Sequence, residues 1–392
     1  MTHSSAIPPK TLSVLLPAPL ADAYDYLPPD GERPENGAFV EVPFGRRTML
    51  GVVWGEGQGG VPETKLKSII RTLPLPAVPD VSRNFVDWVA AYTLTPRGAV
   101  LKMMFGSSKL IEPKKKDSFA CPVFNPDFHT PQLSADQKKA AEALVAAMGS
   151  FSVTLLDGVT GSGKTEVFCE AIAECLRQGK QALVMLPEIA MTAALIDRFA
   201  ARFGARPIEW HSGLGDRQRR LHWQAIARGE AKFILGARSA LFLPYPDLGL
   251  IVVDEEHEAA YKQEEGVIYH GRDMAVARAK AGNIPVILSS ATPSLETLFN
   301  VRQKKYGHVV LPKRFGNAKM PCVELVDLRK FKIPSREFIS PPLFEELKET
   351  IATGQQAMLF LNRRGYAPLT LCRSCGHRLQ CPRCTAWLTE HK

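Results

Sequence analysis

The amino-acid sequence predicts an α/β protein: a small N-terminal β-barrel-like domain, a parallel sheet buried on both faces, and the start of a second α/β lobe ending in a cysteine-rich segment. Three observations predict this. Short strand-like runs broken by Pro, Gly and Asp fill residues 12–70. From Leu133 onward, short apolar runs alternate with helical segments, the texture of parallel strands covered on both sides. A glycine-rich loop, GVTGSGKT, joins one of those runs to a helix.

In chain order, LSVLLPAPL, AFVEVPF and TMLGVVWG read as strands of a small barrel or sandwich that ends near residue 80. A helix is predicted over Val81–Tyr92. Sequence rich in Pro and Lys follows to about residue 131; its Lys114–Lys115–Lys116 run reads as a solvated linker first and a phosphate contact second. The runs FSVTLL, QALVMLP, KFILGA, LGLIVVD and PVILSS are the predicted parallel strands. A helix near residues 342–353 leads to a further strand, QAMLFLN. The boundaries are then 1–105 for the N-terminal domain, 106–132 for a linker, 133–325 for the first lobe, 326–371 for the start of a second lobe and 372–392 for the cysteine-rich segment.

At 392 residues the chain has room for two to three cores. A net charge of +9 favours polyanionic partners. The absence of any run of eighteen apolar residues excludes a membrane-spanning helix, and MTHSSAIPPK lacks the layout of a signal peptide, so a cytoplasmic location is expected. Cys175 falls on an apolar helical face, where packing is its expected role.

The strongest signal is Gly158–Thr165, which fits G-x-x-x-x-G-K-[ST] in the strand–loop–helix context the pattern requires. Its backbone (Gly158, Val159, Thr160, Gly161, Ser162, Gly163) is predicted to curl round phosphate oxygens. Lys164 should bridge the β- and γ-phosphates of ATP, and the Thr165 hydroxyl should ligate Mg²⁺. LGLIVVDEEHE supplies the matching acidic element: Asp254 for the Mg²⁺ shell and Glu255 to orient and deprotonate water. Gln137 has two compatible roles. With Ser134 it forms a capping box, and a glutamine just ahead of such a loop also reads adenine in superfamily 2 helicases.

DEEH behind a buried strand, with Ser290–Ala291–Thr292 later, resembles the superfamily 2 helicases. LPEIAMT, HSGLGDRQR, GARSALF, DEEHEAAYKQEEG and FLNRRGYAP, in this order and spacing, resemble the PriA family within it, over essentially the whole chain. The resemblance implies a RecA-like first helicase lobe and ATP-driven 3′-to-5′ DNA unwinding at stalled or repaired forks during replication restart. It also implies forked and single-stranded DNA, primosome proteins and single-strand binding protein as partners. The sequence departs from the family in two places: the roughly thirty residues before Leu133 are too few for its usual winged-helix domain, and the arginine finger of the second lobe is expected beyond Lys392. The alternative is a truncated chain that binds ATP and DNA without hydrolysis. A restriction translocase fits the ATPase motifs but not the cysteine pairs.

The same resemblance implies a pocket for a DNA 3′ end at Tyr24, Asp25, Tyr26, Gly37 and Lys67, although Tyr24 and Tyr26 read from the residues alone as packing of a small barrel. It also implies a loop, Tyr261–Arg272, that senses single-stranded DNA, with Tyr261 and Tyr269 free to stack on bases and Arg272 to touch phosphate. Val267 stands where some relatives carry tryptophan. Finally, Cys372-x-x-Cys375 and Cys381-x-x-Cys384 are a strong zinc signal. Spacing alone gives one tetrahedral site, whereas the resemblance implies two interleaved Zn²⁺ ions completed by later pairs, with His377 outside the ligand set.

Overall fold

The computed structural model describes residues 11–59, 61–105, 119–187, 192–316, 321–331, 339–360, 375 and 377. Residues 1–318 form one compact unit and residues 319–392 another.

The first unit begins with five antiparallel strands, β1 (Leu12–Leu15), β2 (Tyr24–Tyr26), β3 (Phe39–Phe44), β4 (Arg47–Glu56) and β5 (Arg71–Thr72), in the order β2-β1-β4-β3-β5. The β3–β4 hairpin turns on Gly45, whose φ of 60° at the first of two loop residues suits the right-handed strand twist. The segment before β5 bridges back to the other edge: the Leu27 N–H donates to the Lys67 carbonyl and the Ile69 N–H to the Leu27 carbonyl, both at 2.9 Å. The sheet thereby closes into the small barrel the sequence predicted. Alternation along the strands divides the side chains. Val14, Leu16, Val40, Val42 and Val53 fill the barrel with Tyr26 and Ile69. Leu15, Phe39 and Val52 face outward into a second core.

That second core extends into two helices and the lobe beyond them. Helices α1 (Asp80–Thr93) and α2 (Arg97–Phe105) add Phe85, Val86, Val89, Val100 and Phe105. The lobe adds Trp223, whose ring meets Phe39 at 5.5 Å and whose Nε1–H donates to the Met104 carbonyl at 2.9 Å. The buried Arg278 donates to the Val81 carbonyl (3.0 Å) and the Ser82 hydroxyl (2.7 Å) and lies over the Phe85 ring. The barrel and the lobe, read from the sequence as separate domains, therefore bury a common core.

The lobe contains a seven-stranded, wholly parallel sheet. Its strands are β6 (Ser152–Gly158), β7 (Gln181–Met185), β8 (Ile208–Trp210), β9 (Phe233–Gly236), β10 (Leu248–Asp254), β13 (Pro285–Ser290) and β14 (Gly307–Leu311), in the order β14-β6-β13-β10-β7-β9-β8. The five predicted runs are the five inner strands; β8 and β14, short or half polar, close the two edges. Successive side chains of β7 enter opposite cores, Leu183 and Met185 on one face and Ala182 and Val184 on the other. Helices α3 (Ala135–Ala146), α4 (Lys164–Arg177), α5 (Ala193–Phe203), α6 (Asp216–Ala227), α7 (Gly271–Gly282) and α8 (Leu295–Arg302) accompany the sheet, with a two-strand ribbon, β11 (Lys262–Gln263) and β12 (Tyr269–His270), before α7. Cys175 on α4 is buried as expected. Strands β6, β13 and β10 are neighbours, so their carboxyl ends, where open α/β sheets bind ligands, lie together. Residues 119–134 carry no regular structure until Ser134 caps α3. Among the described residues no helix is long and apolar enough to cross a membrane.

In the second unit a helix, α9 (Pro341–Ala352), forms where one was predicted, with Pro in its first turn. The predicted strand QAMLFLN does not form over its described part. Residues 356–360 are irregular, and Met358 and Phe360 are exposed. An apolar run becomes a strand only by pairing, and among the described residues this unit has no strand to pair with it. Lys114–Lys116 lie outside the described residues.

Candidate nucleotide and DNA site

The glycine-rich loop leaves β6 at Gly158 and enters α4 at Lys164. Gly161 and Gly163 take φ of +80° and +81°, conformations that keep the backbone N–H groups turning inward and that other residues resist. A Cβ on Gly163 would stand 2.2 Å from Gln137 Nε2, so this glycine is also required by packing. Lys164 Nζ donates to the Gly158 carbonyl across the loop at 2.9 Å. Ser162 Oγ is buried and has no hydrogen-bond partner among the described residues. Thr160 is exposed and Thr165 half-buried in the first turn of α4. A concave backbone cradle, a cation at its mouth and a helix N-terminus behind it fit a chain of phosphates.

Gln137 is buried, and its amide is anchored at both ends. Oε1 accepts from the Ser134 N–H at 2.9 Å, completing the capping box, and Nε2 donates to the Ser162 carbonyl at 2.9 Å. The capping role is therefore present, and the same side chain ties α3 to the phosphate loop. It borders a cavity of about 730 Å³ that the loop shares with His129–Leu133, Arg198 and Phe315.

The acidic element stands at the end of β10, with Asp254 paired in register with Ser289 on β13. Asp254 accepts from the Ser289 hydroxyl at 2.8 Å, and burial raises its carboxyl above the ordinary carboxylate range. Glu255 is also raised, by burial first and the Asp254 charge second. Its φ of +48° is a conformation non-glycine residues rarely hold, and such strain concentrates at functional positions. His257 Nδ1 lies 2.8 Å from Ser290 Oγ, which also accepts from the Thr292 N–H at 3.0 Å. The Asp-Glu-Glu-His and Ser-Ala-Thr segments are thus joined side chain to side chain.

Glu256 is the residue to which sequence reasoning gave no role. It is fully buried. It pairs with Arg272 (3.1 Å) and accepts from the Ser294 N–H (2.7 Å), the Ser294 hydroxyl (3.0 Å) and the Thr297 hydroxyl (3.0 Å). A charged residue directly behind a buried strand was the available signal; its partners, sixteen to forty-one positions away, were not visible in the sequence.

The same packing takes in the three residues of the Tyr261–Arg272 loop that were expected to meet DNA. Tyr261 is fully buried, and its hydroxyl donates to the Asp254 carbonyl (2.6 Å) and the Met185 carbonyl (3.0 Å). Tyr269 is buried against Phe242, with ring centroids 5.4 Å apart. Arg272 is buried on Glu256 and Asp273. Apolar burial and charge pairing occupy all three, so none offers a ring or cation to DNA in this structure. Val267 is buried and Ile268 exposed.

In the barrel, the Tyr24 ring is partly exposed, edge-on to Phe44 at 5.5 Å. Asp25 accepts from the Gln58 and Gly59 N–H groups at 3.1 and 2.8 Å, bracing the loop after β4. Lys67 is exposed, and its carbonyl joins it to the end of β2. Tyr26 lies in the barrel core with its hydroxyl donating to the Pro43 carbonyl at 3.2 Å, and burial pushes its pKa up to about 12. Its role here is packing rather than stacking. Gly37, at φ +90°, faces the Val78 backbone, whose carbonyl a Cβ would meet at 2.4 Å; close approach of two backbones explains this glycine. Tyr24 and Lys67 are thus exposed and Asp25 half-buried, with Tyr24 and Asp25 on β2 and Lys67 joined by its backbone to the residue after that strand.

Cys372, Cys381 and Cys384 lie outside the described residues, and Cys375 and His377 are exposed. Among the described residues no group of three or more His, Cys, Asp or Glu side chains is placed to hold a metal ion.

Comparison with known proteins gives two family matches and a set of similar full-length proteins. Residues 13–106 match the family described as the PriA 3′DNA-binding domain (3′BD), and residues 134–301 match the DEAD/DEAH box helicase family. The chain is 39% identical over 384 residues to the replication restart protein PriA of Rickettsia felis, covering 97% of this chain and 58% of that protein. It is 34% identical to that of Haemophilus influenzae, covering 98% and 62%, and 43% identical over 263 residues to that of Bacillus subtilis, covering 66% and 33%. Among solved structures, the DUF1998 helicase MrfA bound to DNA is similar over 46% of this chain and 26% of that one, at 16% identity and a TM-score of 0.35. The chain spans about 60% of the length of the fullest-matching of these curated relatives. With its barrel region matched by the PriA 3′DNA-binding domain family, its lobe matched by the DEAD/DEAH box helicase family and 97–98% of its length aligned with these relatives, the chain belongs to the family of replication restart proteins PriA.

Proposed function

We propose that the chain is the DNA-end-binding and ATP-binding part of an ATP-dependent 3′-to-5′ DNA helicase that acts at stalled or repaired forks in replication restart. The observation that carries this reading is the convergence of the phosphate loop, Asp254 and Glu255 at the carboxyl ends of β6 and β10, on either side of β13, in one compact unit with the N-terminal barrel.

In this reading the loop N–H groups and Lys164 bind the β- and γ-phosphates, and Thr165 and Asp254 hold the magnesium shell. Bound magnesium supplies charge neutralisation at the transferred phosphate. Glu255, raised by burial and by Asp254, is suited to take a proton from the attacking water. Ser289 fixes the Asp254 carboxylate, and Tyr261 fixes its backbone from the far side. The side chains of Tyr24, Asp25 and Lys67 offer a stacking face, a hydrogen-bond acceptor for a 3′-hydroxyl and a cation for phosphate. The partners in this reading are forked DNA, primosome proteins and single-strand binding protein, in the cytoplasm. The four cysteines would hold structural zinc, two ions in an interleaved arrangement with later pairs.

Fluorescence anisotropy with forked DNA carrying a free 3′-hydroxyl or a 3′-phosphate at the nascent strand tests the reading. Preference for the hydroxyl end supports it, and equal binding of both ends contradicts it.

A further inference from the structure

We propose that the chain segment Pro312–Gly316, where the backbone leaves β14, walls the base end of the nucleotide site, and that Phe315 stacks on the nucleotide base. The proposal rests on the nucleotide reading of the phosphate loop and adds a residue that no motif in the sequence singled out.

Three observations carry it. The segment is pinned to the loop by its backbone: the Phe315 N–H donates to the Gly161 carbonyl at 2.9 Å, and the Val159 N–H donates to the Leu311 carbonyl at 3.2 Å. Phe315 is thus fixed in place, yet its side chain is left largely in water, 56% exposed. That ring lines the cavity of about 730 Å³ whose other walls include Gln137, Gly161, Gly163 and Glu166. The volume is in the range of small-ligand sites and exceeds what phosphates in the loop would fill.

The polar chemistry of the cavity suits a base. Gln137 spends one amide N–H on Ser162 and one lone pair on Ser134. An amide carries two of each, so one donor and one acceptor remain for a base edge. A planar heterocycle between that amide and the Phe315 ring would be read by its edge and held by its face. The exposed aromatic ring then gains a flat partner in place of water. Binding would also bear directly on the segment by which the chain leaves the sheet.

The test is calorimetric titration of the chain with ADP and, separately, with inorganic tripolyphosphate, both with magnesium. Loss of a base–aromatic stack by alanine substitution predicts that Phe315→Ala weakens ADP binding by roughly five- to a hundredfold. Tripolyphosphate, which has no base, should bind both proteins within about twofold, and Phe315→Tyr should restore ADP affinity. Because the ring is largely exposed, these variants are expected to fold, which circular dichroism checks. Unchanged ADP affinity in Phe315→Ala overturns the proposal, as does equal weakening of ADP and tripolyphosphate, which would make the segment a support for the loop. Wild-type chain that binds neither ligand defeats the nucleotide reading itself and is distinguishable from both.

Discussion

Glu256→Gln is expected to destabilise the first unit far more than its single-atom change suggests. The Glu256 carboxylate is fully buried; one oxygen accepts from the Ser294 N–H, and the other from Arg272, Ser294 Oγ and Thr297 Oγ1. Glutamine keeps the first contact and turns the second oxygen into an N–H₂ group. The two hydroxyls can rotate to accept from it, but the Arg272 guanidinium has no lone pair and is left facing another donor. Breaking a buried ion pair from one side costs about 3–5 kcal/mol. Arg272 keeps Asp273 at 2.9 Å, so the lower end, about 3 kcal/mol, applies. For a unit of this size each kcal/mol moves Tm by roughly 2–4 °C, which gives a fall of roughly 6–12 °C. Thermal unfolding followed by circular dichroism measures it, with Glu142→Gln as an exposed control away from Arg272, expected to shift Tm by no more than about 1 °C. A fall under about 2 °C in Glu256→Gln would refute the assignment of Glu256 as the tie between the acidic motif, α7 and α8.

The same contacts carry other expectations. Asp25→Ala, which removes the acceptor bracing Gln58 and Gly59, should erase any preference for a 3′-hydroxyl over a 3′-phosphate; a preference that survives would move the pocket elsewhere. Burial raises Asp254 and Glu255, so just above the ordinary carboxylate range the folded chain holds more protons than the unfolded one, and stability falls as pH rises through that window. Asp254→Asn should flatten that slope of Tm against pH just above the ordinary carboxylate range, and an unaltered slope would show that Asp254 does not titrate there. In the interleaved arrangement each cysteine pair supplies two thiolates where a structural site needs four, so this chain should lose zinc on dialysis. A stable one-to-one zinc content would instead support a single site formed by Cys372, Cys375, Cys381 and Cys384.

Most of the nucleotide site was legible because it is local. Gly158–Thr165 carries its own backbone geometry in its glycines, and five apolar runs announced the five inner strands, since parallel strands buried on both faces need continuous apolar sequence. The edges were less legible: β8, with three residues, and β14, with Gly and His, carry too little apolar sequence to stand out. The fate of Tyr261, Tyr269 and Arg272 was not legible at all. Aromatic and cationic residues in a polar loop read equally as a nucleic-acid surface or as core and ion pair. What decided it was packing against Phe242, Met185 and Glu256, far away in sequence or on another strand. The shared core of barrel and lobe was hidden for the same reason, because Trp223 and Arg278 sit in helices whose local pattern says only that one face is buried.

The central claim, that the loop at Gly158–Thr165 binds the phosphates of a nucleotide, is tested most directly by titrating a non-hydrolysable ATP analogue with magnesium into the wild-type chain and into Lys164→Ala. Lys164 is the cation within the cradle, beside Asp254 and Glu255, and its Nζ now rests on the Gly158 carbonyl. The account predicts saturable binding by the wild type and no measurable binding by Lys164→Ala, with the two proteins alike in circular dichroism. Equal affinity of the two proteins would contradict it.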